Sequence, residues 1–229
     1  MSAAESARVL LVAGGHSSQT AFTRMMKLPN IFESNFQLPP KVCVVAPGPN
    51  GKGHYSSIPA DFYVIAVAKA ILIPEVRADI WMMTHSHQDW YAEADAAFNG
   101  PRIYSYDAAM RVLPSLEGKK DCYYFKPHPE LLDPNGIRSI EGTIRYGGTI
   151  VGNAIQLAYN FGATDILLCG ADMSGDGYWD GSLNQERVHG DVWLAVSYLN
   201  PLLSWMRNEK GINISTLSPT TLNVPRHEA

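Results

Sequence analysis

The stretch that decides the fold runs from 147–173 and reads GGTIVGNAIQLAYNFGATDILLCGADM. Its first part predicts a helix over 152–161, because Ile155, Ala158 and Tyr159 recur on one side at three- and four-residue spacing. The later run ILLC is continuously apolar and ends at a glycine. Strands that crossover helices bury on both faces have this continuous pattern. The stretch therefore predicts a helix that leads into a buried parallel strand.

The same alternation of apolar runs and helical segments extends along the chain. Because strands and helices alternate, we predict an α/β, Rossmann-like fold with a mostly parallel sheet flanked by helices. Pro201 should kink the last helix or divide it in two. The remaining predicted strands are 9–13, 42–46, 62–67, 80–84, 102–106, 122–125 and 212–217, and the remaining predicted helices are 18–28, 88–98 and 188–209.

Length and charge limit the functions that the chain can have. At 229 residues one α/β domain is expected over 1–229, with 1–40 as an N-terminal strand-helix extension. The formal charge of −4 excludes the overall positive field that nucleic-acid-binding proteins carry. No apolar stretch approaches the roughly 18 residues of a membrane span, and the first residues lack a basic signal region. We therefore expect a cytoplasmic protein with no membrane span.

The three cysteines are predicted to be packing residues. They are Cys43, Cys122 and Cys169, and none of them forms a CxxC pair. An odd, unpaired set is not typical of a disulfide framework or a zinc ribbon. Small thiols inside apolar runs usually lie buried in the core.

Glycine-rich segments follow several of the predicted strands. The carboxyl ends of parallel strands form one edge of the sheet, where ligands bind. Glycines at that edge let backbone N–H groups approach an anion closely, so we predict a phosphate-bearing ligand there. The polar segment 173–190 is predicted to form a small lid loop over the site. The segments at this edge are 14–18, 47–51, 84–89, 147–149 and 170–174.

A short histidine-rich run offers a different chemistry. His85, His87 and Asp89 form an HxHxD pattern at a strand end, which can supply two imidazoles and a carboxylate to a metal. The usual hydrolase motif has a second histidine directly after the aspartate, and Trp90 stands there. The run can equally cap a helix or contact a ligand. We therefore assign no metal ligands.

His189 lies between the polar segment and the last predicted helix. An imidazole titrates near neutral pH, so it can act as a general base, or it can simply bond locally at the helix start. Tyr178 lies in the same polar segment, where an aromatic residue can contact a ligand or anchor the lid.

Four stretches of the sequence carry a family resemblance. They resemble the small bacterial sialyltransferases of glycosyltransferase family 42, and also the related pterin-diphosphokinase-like (MptE-like) Rossmann family. Both groups have a strand followed by a GPS-type turn, and later a glycine-rich turn entering a helix and a strand that ends in G-x-D. The resemblance covers most of 41–222. The stretches are VCVVAPGPN (42–50), IPADFYVIA (58–66), 147–173 and ISTLSPTTL (214–222).

The resemblance implies roles for particular residues. His189 would be the general base, and Tyr178 would contact the donor phosphate. Asp172 would be the acidic residue that closes the G-x-D step. Contacts with the nucleotide of a CMP-sugar donor would come from the two turns and from the lid: Gly48, Pro49, Asn50, Gly147, Gly148, Thr149 and Ser174.

The sequence also departs from the sialyltransferase pattern. The asparagine before the GPS turn is Pro47 here, and an asparagine after the next strand is Ala68, beside Lys69. Ser174 stands where a second lid tyrosine is expected. These departures concern the sialic acid donor itself more than the fold or a nucleotide ligand.

Four functions stay open at this point. The first is a transferase that uses a nucleotide-linked donor, as a sialyltransferase-type glycosyltransferase does. The second is an MptE-like pyrophosphokinase that uses ATP and Mg²⁺, held by Asp172 and Asp176. The third is a metal-dependent hydrolase at the HxHxD run, and the fourth is a non-catalytic nucleotide- or sugar-binding protein. The resemblance also implies a homo-oligomer.

Overall fold

The computed structural model describes residues 28–85, 89–116, 119–131, 140–146, 148–174, 177–182 and 189–228. The strands are β1 (Lys41–Val45), β2 (Tyr63–Val67), β3 (Ile80–Met83), β4 (Arg102–Ser105), β5 (Cys122–Phe125), β6 (His128–Leu131), β7 (Arg145–Tyr146), β8 (Asp165–Cys169) and β9 (Asn213–Thr216). The α-helices are α1 (Tyr91–Ala97), α2 (Tyr106–Val112), α3 (Ile150–Asn160) and α4 (His189–Asn208). Short 3-10 turns lie at Ile31–Glu33, Pro49–Gly51, Tyr55–Ser57, Ala68–Leu72 and Leu113–Leu116.

Within these ranges seven strands form one sheet in the order β5-β4-β3-β2-β1-β8-β9. Every neighbouring pair is parallel, and β1 lies between β2 and β8, with Val42 opposite both Tyr63 and Ile166. The predicted α/β fold is confirmed, and the mostly parallel sheet is parallel throughout the described part. Since the chain runs outward from β1 in one direction and from β8 in the other, the strand order reverses between them. Ligands bind at such a reversal in open α/β sheets.

Both faces of the central strands are buried, as the continuous apolar runs predicted. On one face Val42, Val44 and Ile65 pack under α3 and α4. On the other face Cys43 and Cys169 pack with the buried side chains of the 3-10 turns and loops. All three cysteines are buried and free, so their predicted packing role is confirmed. Burial raises the pKa of the Cys169 thiol to about 12, which keeps it protonated.

Helix α3 packs on the sheet and against α4 through small residues. Thr149 caps α3 by accepting a hydrogen bond from the Val151 N–H at 3.3 Å. A Cβ added at Gly152 would lie 2.7 Å from the Leu199 side chain, and one at Gly148 would lie 3.2 Å from the Ala195 backbone. Glycine at these two positions therefore lets α4 approach the N-terminal half of α3 closely.

Some element predictions differ from the structure. α4 is a single helix that continues through Pro201, so the predicted division into two helices is wrong, and a kink at Pro201 stays a prediction. Leu199, Leu202 and Leu203 are fully buried around the proline, and this packing offsets the lost backbone hydrogen bond. Helix α2 was not predicted, because its apolar start was assigned to the strand before it. The β6–β7 pair was also not predicted.

Only the last part of the predicted N-terminal extension, from residue 28 onward, is described by the structure. The strand at 9–13 and nearly all of the helix at 18–28 lie outside the described residues. Beyond them, Ile31 is fully buried and Asn30 forms a parallel bridge with Tyr124, so this part packs beside β5. The division into a single domain with an extension and a lid stays a prediction. None of the helices in the described ranges is long and apolar enough to cross a membrane.

The ladder between β1 and β8 continues into the loops that follow them. The Ala46 N–H donates to the Cys169 carbonyl and the Gly48 N–H donates to the Gly170 carbonyl, each at 2.9 Å. The Tyr55 hydroxyl lies 2.8 Å from the Gly48 carbonyl and 3.1 Å from the Ala46 carbonyl. Burial raises the pKa of Tyr55, so its hydroxyl stays neutral and donates to these carbonyls. The two loops are thus held together at the reversal of strand order.

Tyr55→Phe should lower the free energy of unfolding by about 1 kcal/mol, because it removes the donor to two loop carbonyls. The melting temperature should fall by about 2–4 °C for a chain of this size. Urea unfolding measures the free energy and thermal unfolding measures the melting temperature, both followed by circular dichroism.

Tyr63→Phe is the matched control, since the structure records no hydrogen bond from the half-buried Tyr63 hydroxyl to a described residue. It should leave the free energy of unfolding nearly unchanged. Equal losses in the two variants would contradict the role given to Tyr55.

Candidate functional site

A cavity of about 490 Å³ opens at the carboxyl edge of the sheet, where the strand order reverses. Its volume lies within the usual range of small-molecule sites. Its wall is formed by the ends of five strands, the start of α3 and the first half of α4. The strand-end residues are Ala46, Val67, Thr84, Ser105 and Gly170, and the helix residues include Ile150, Val151, Val192, Leu194 and Tyr198.

The loop after β1 forms one side of the cavity. Gly48 and Pro49 line it, whereas Asn50 is exposed and is not among the lining residues. The Asn50 N–H donates to Asp172 Oδ2 at 2.7 Å, and the Gly48 N–H donates to Gly170. Both N–H groups are therefore engaged within the protein. Contact between this loop and a ligand would use other atoms of Gly48 and Pro49.

The start of α3 forms the opposite side. Gly148, Thr149, Ile150 and Val151 all line the cavity, and Gly147 lies outside the described residues. Gly148 has a φ of +75°, a conformation that favours glycine. The N-terminal end of a helix carries a partial positive charge and attracts anions. This end of α3 is thus the part of the wall best suited to a phosphate.

The segment after β8 completes the floor of the cavity. Asp172 is 4% exposed and uses Oδ2 to hold the Asn50 N–H across the crevice. Gly170 donates its N–H to the Ser218 hydroxyl at 2.8 Å, which fixes the turn from below. Met173 lies in the left-handed region with a φ of +54°. Ser174 follows it, lines the cavity and buries its hydroxyl oxygen.

The described part of the predicted lid, 177–182, docks against the body of the protein. Tyr178 lines the cavity, as expected for a residue that faces a ligand. The Trp179 N–H donates to the Pro47 carbonyl at 2.8 Å. Lys69 Nζ lies 2.6 Å from Asp180 Oδ2 and 3.0 Å from the Ser182 hydroxyl, and it lies 5.3 Å from the Tyr178 ring centroid. Lys69 is therefore the main side-chain anchor of this segment.

The part of the cavity wall at the carboxyl ends of β3 and β4 is polar. His85 lines the cavity with Nδ1 3.0 Å from the Thr84 hydroxyl, and Ser105 and the exposed Asp107 lie nearby. His87 of the predicted metal motif lies outside the described residues. Among the described ones, no three histidine, cysteine, aspartate or glutamate side chains come close enough to hold a metal ion.

His189 is the first residue of α4, the position expected of it from the sequence. Its side chain lies outside the described part of the structure. Val192 follows one turn later on the same helix and lines the cavity. Because Val192, Leu194 and Tyr198 all line the cavity, the half of α4 that begins at residue 189 is the half beside the cavity.

Ala68 occupies a position where the sequence departs from the sialyltransferase pattern. It lines the cavity with a φ of +50°, a left-handed conformation that asparagine adopts more readily than alanine. Its carbonyl accepts a hydrogen bond from the Trp81 indole at 2.8 Å. Alanine at this position thus lacks the amide group that an asparagine would present to the cavity.

Sequence reasoning missed one buried polar residue of the wall. Asn153 lies one turn inside α3, is 3% exposed, and lines the cavity. Its Oδ1 has no hydrogen-bond partner among the described residues, and the same holds for the Ser174 hydroxyl. The available signal was a polar residue in the first turn of a mostly apolar helix. Ser105, Asp107 and Tyr198 were also missed.

Comparison with known protein families finds no match, and comparison with curated proteins finds none either. Three solved structures of the sialyltransferase CstII are similar to the chain. The complex of the Campylobacter jejuni enzyme with the substrate analogue CMP-3FNeuAc has 15% identity, covers 83% of this chain and 90% of that one, and gives a TM-score of 0.48. An alanine variant in complex with CMP has 14% identity, 82% and 87% coverage, and a TM-score of 0.50.

The third structure, with a trisaccharide acceptor and CMP, has 15% identity, 80% and 86% coverage, and a TM-score of 0.48. At these identities the likeness concerns the fold. The match at a TM-score of 0.50 shows that the chain is an α/β protein with the overall fold of a sialyltransferase.

The ion pair that anchors the lid segment has a defined charge state. Burial opposes ionisation of Asp180, but hydrogen bonds from Lys69 and Ser182 outweigh it and lower the pKa of Asp180 to about 2. The folded pKa is thus below the usual 3.8. The ion pair therefore stabilises the fold fully above pH 4, and this stabilisation is lost as the pH falls through the folded pKa.

Asp180→Asn should lower the free energy of unfolding by about 1 kcal/mol at pH 7, because the pair is only partly exposed. The difference from wild type should vanish as the pH falls from about 4 to about 2. Urea unfolding at a series of pH values measures both effects.

Asp61→Asn provides the control, because the Lys41–Asp61 pair has the same 2.6 Å distance but is far more exposed. It should change stability less. If the Asp180 and Asp61 variants behave alike at every pH, the anchoring role of Lys69 is wrong.

Proposed function

We propose that the chain is a transferase that uses a nucleotide-linked sugar of the CMP type as donor, with His189 as general base. The observation that carries the proposal is the position of the cavity. It lies at the reversal of strand order, with the N-terminus of α3 on one side and the Gly48-Pro49 turn on the other. In open α/β sheets this crevice is the usual nucleotide site.

The start of α3 would stabilise the phosphate. Gly148 and Thr149 line the cavity at the positive end of the helix, and the Tyr178 hydroxyphenyl group lies on the same cavity. During transfer the bond between the sugar and the phosphate breaks, and negative charge grows on the departing phosphate. Groups fixed in place before the reaction stabilise such charge strongly.

His189 would take the proton from the acceptor hydroxyl as that hydroxyl attacks the sugar. The proposal is supported by the position of its backbone at the start of α4, one turn before the cavity-lining Val192. A positioned general base typically contributes about 10²–10⁴ to the rate. The acceptor would enter beside Leu194, which lines the cavity and is 51% exposed.

The lid segment would keep water away from the donor, because hydrolysis competes with transfer. Its described part is already anchored by Lys69 and by the Trp179–Pro47 hydrogen bond. Ser174 would contact the ligand from the start of the same segment. The homo-oligomer and the cytoplasmic location stay predictions from the sequence.

No observation favours the other three functions over this one. The pyrophosphokinase needs Mg²⁺ between Asp172 and Asp176, but Asp172 Oδ2 holds the Asn50 N–H and Asp176 lies outside the described residues. The hydrolase needs His87, which lies outside the described residues, and the described ones form no metal-binding cluster that would support it. A binding protein would bind the nucleotide without turning over a donor.

The test is release of CMP from CMP-sialic acid, measured with and without a panel of oligosaccharide acceptors. We expect His189→Ala to lower kcat by about 10²–10⁴ while the Kd for CMP stays within about twofold. His54→Ala, outside the cavity lining, should change neither quantity.

Two results would contradict the proposal. If wild type neither binds CMP nor releases it from CMP-sialic acid, the proposed CMP-linked donor is wrong. If His189→Ala retains full turnover, the donor stands and the general base is another group.

A further inference from the structure

Asn153 differs from the other amide side chains of α3. Gln156 accepts from the Arg145 N–H at 2.8 Å and donates to the Arg145 carbonyl at 3.0 Å. Asn160 donates to the Ile140 and Thr143 carbonyls and accepts from the Gly142 N–H. The amides of Gln156 and Asn160 are therefore paired, whereas Asn153 Oδ1 has no partner among the residues described.

This exception coincides with the cavity. Asn153 is 3% exposed and belongs to the cavity wall, so its Oδ1 is withdrawn from bulk water without a hydrogen bond from any described residue. A buried acceptor without a partner loses the full solvation of that group. An apolar side chain of the same shape would be more favourable for folding alone. A ligand that donates a hydrogen bond to Oδ1 would replace the solvation that this oxygen loses on burial.

The chemistry of Oδ1 limits which part of the ligand it meets. A carbonyl oxygen accepts hydrogen bonds, and the oxygens of an ionised phosphate are acceptors too. Neither can donate to the other, so Oδ1 does not pair with the phosphate. Oδ1 must therefore pair with an N–H or O–H on the organic part of the ligand. The sugar that is transferred must be reached by the acceptor substrate, which arrives from solvent, so the sugar lies towards the mouth of the cavity. A deeply buried wall residue therefore faces the nucleoside.

The spacing along α3 agrees with this assignment. Thr149, at the end suited to the phosphate, precedes Asn153 by four residues, which is about 6 Å along the helix axis. We infer that Asn153 recognises the nucleoside of the donor by accepting a hydrogen bond from one of its amino or hydroxyl groups. The inference rests on the proposed function and adds a specificity-determining residue to it.

Asn153→Leu tests the inference through two readouts. The Kd for CMP and the Kd for cytidine, which lacks the phosphate, should rise by the same factor of about 10–100. The melting temperature without ligand should stay the same or rise by a few degrees, because a buried unpaired acceptor is removed. Calorimetry and thermal unfolding measure the two effects.

Asn160→Leu is the matched control on the same helix. Because its amide is fully paired and lies outside the cavity lining, this variant should lower the ligand-free melting temperature and leave the Kd for CMP unchanged. Asn153→Ala, which cannot crowd the ligand, should show the same loss of affinity as Asn153→Leu.

Three results overturn the inference while leaving the donor in place. In the first, the ligand-free melting temperature of Asn153→Leu falls as much as that of Asn160→Leu. In the second, Asn153→Leu loses affinity for CMP but not for cytidine. In the third, Asn153→Leu binds both CMP and cytidine as wild type does. If wild type binds neither CMP nor cytidine, the proposed function fails and the assignment of Asn153 fails with it.

Discussion

The close contact between the loops after β1 and β8 is the constraint on which the site depends. A Cβ at Gly170 would lie 2.1 Å from the Ala46 carbonyl oxygen, and one at Gly48 would lie 2.3 Å from the Gly170 carbonyl oxygen. Backbone hydrogen bonds, the Tyr55 hydroxyl and Asp172 then hold the loops in that contact. Because the sheet reverses its order at this point, the joined loops form the floor of a crevice and not a closed edge.

Polar groups around this crevice divide into two kinds. Tyr55 and Asp172 each hold a loop by an identified hydrogen bond, and their substitution should affect stability first. By contrast, Asn153 Oδ1 and the Ser174 hydroxyl are buried in the cavity wall without partners in the described part of the chain. Proteins retain such unfavourable groups mainly where function requires them. Under the proposed function, the second kind would mark the ligand-facing part of the wall.

The centre of the sheet could be predicted because β1, β2, β3 and β8 each contain a continuous apolar run, and the predicted site edge followed from parallel topology. Gly48 and Thr149 lie in segments predicted by this route, and both line the cavity. Asn50 was predicted to contact the ligand, but its N–H bonds Asp172, a residue 122 positions away that no local pattern reveals. Asn153 was missed because an unpaired buried amide is a property of packing and cannot be read from spacing.

The central claim is that this cavity binds the nucleotide of a CMP-linked donor. A crystal structure of the protein with CMP tests it most directly. The account predicts CMP in the cavity, with its phosphate at the N-terminus of α3 beside Gly148 and Thr149 and its nucleoside within hydrogen-bonding distance of Asn153. CMP bound elsewhere, or bound in the cavity with the phosphate remote from α3, would contradict the account.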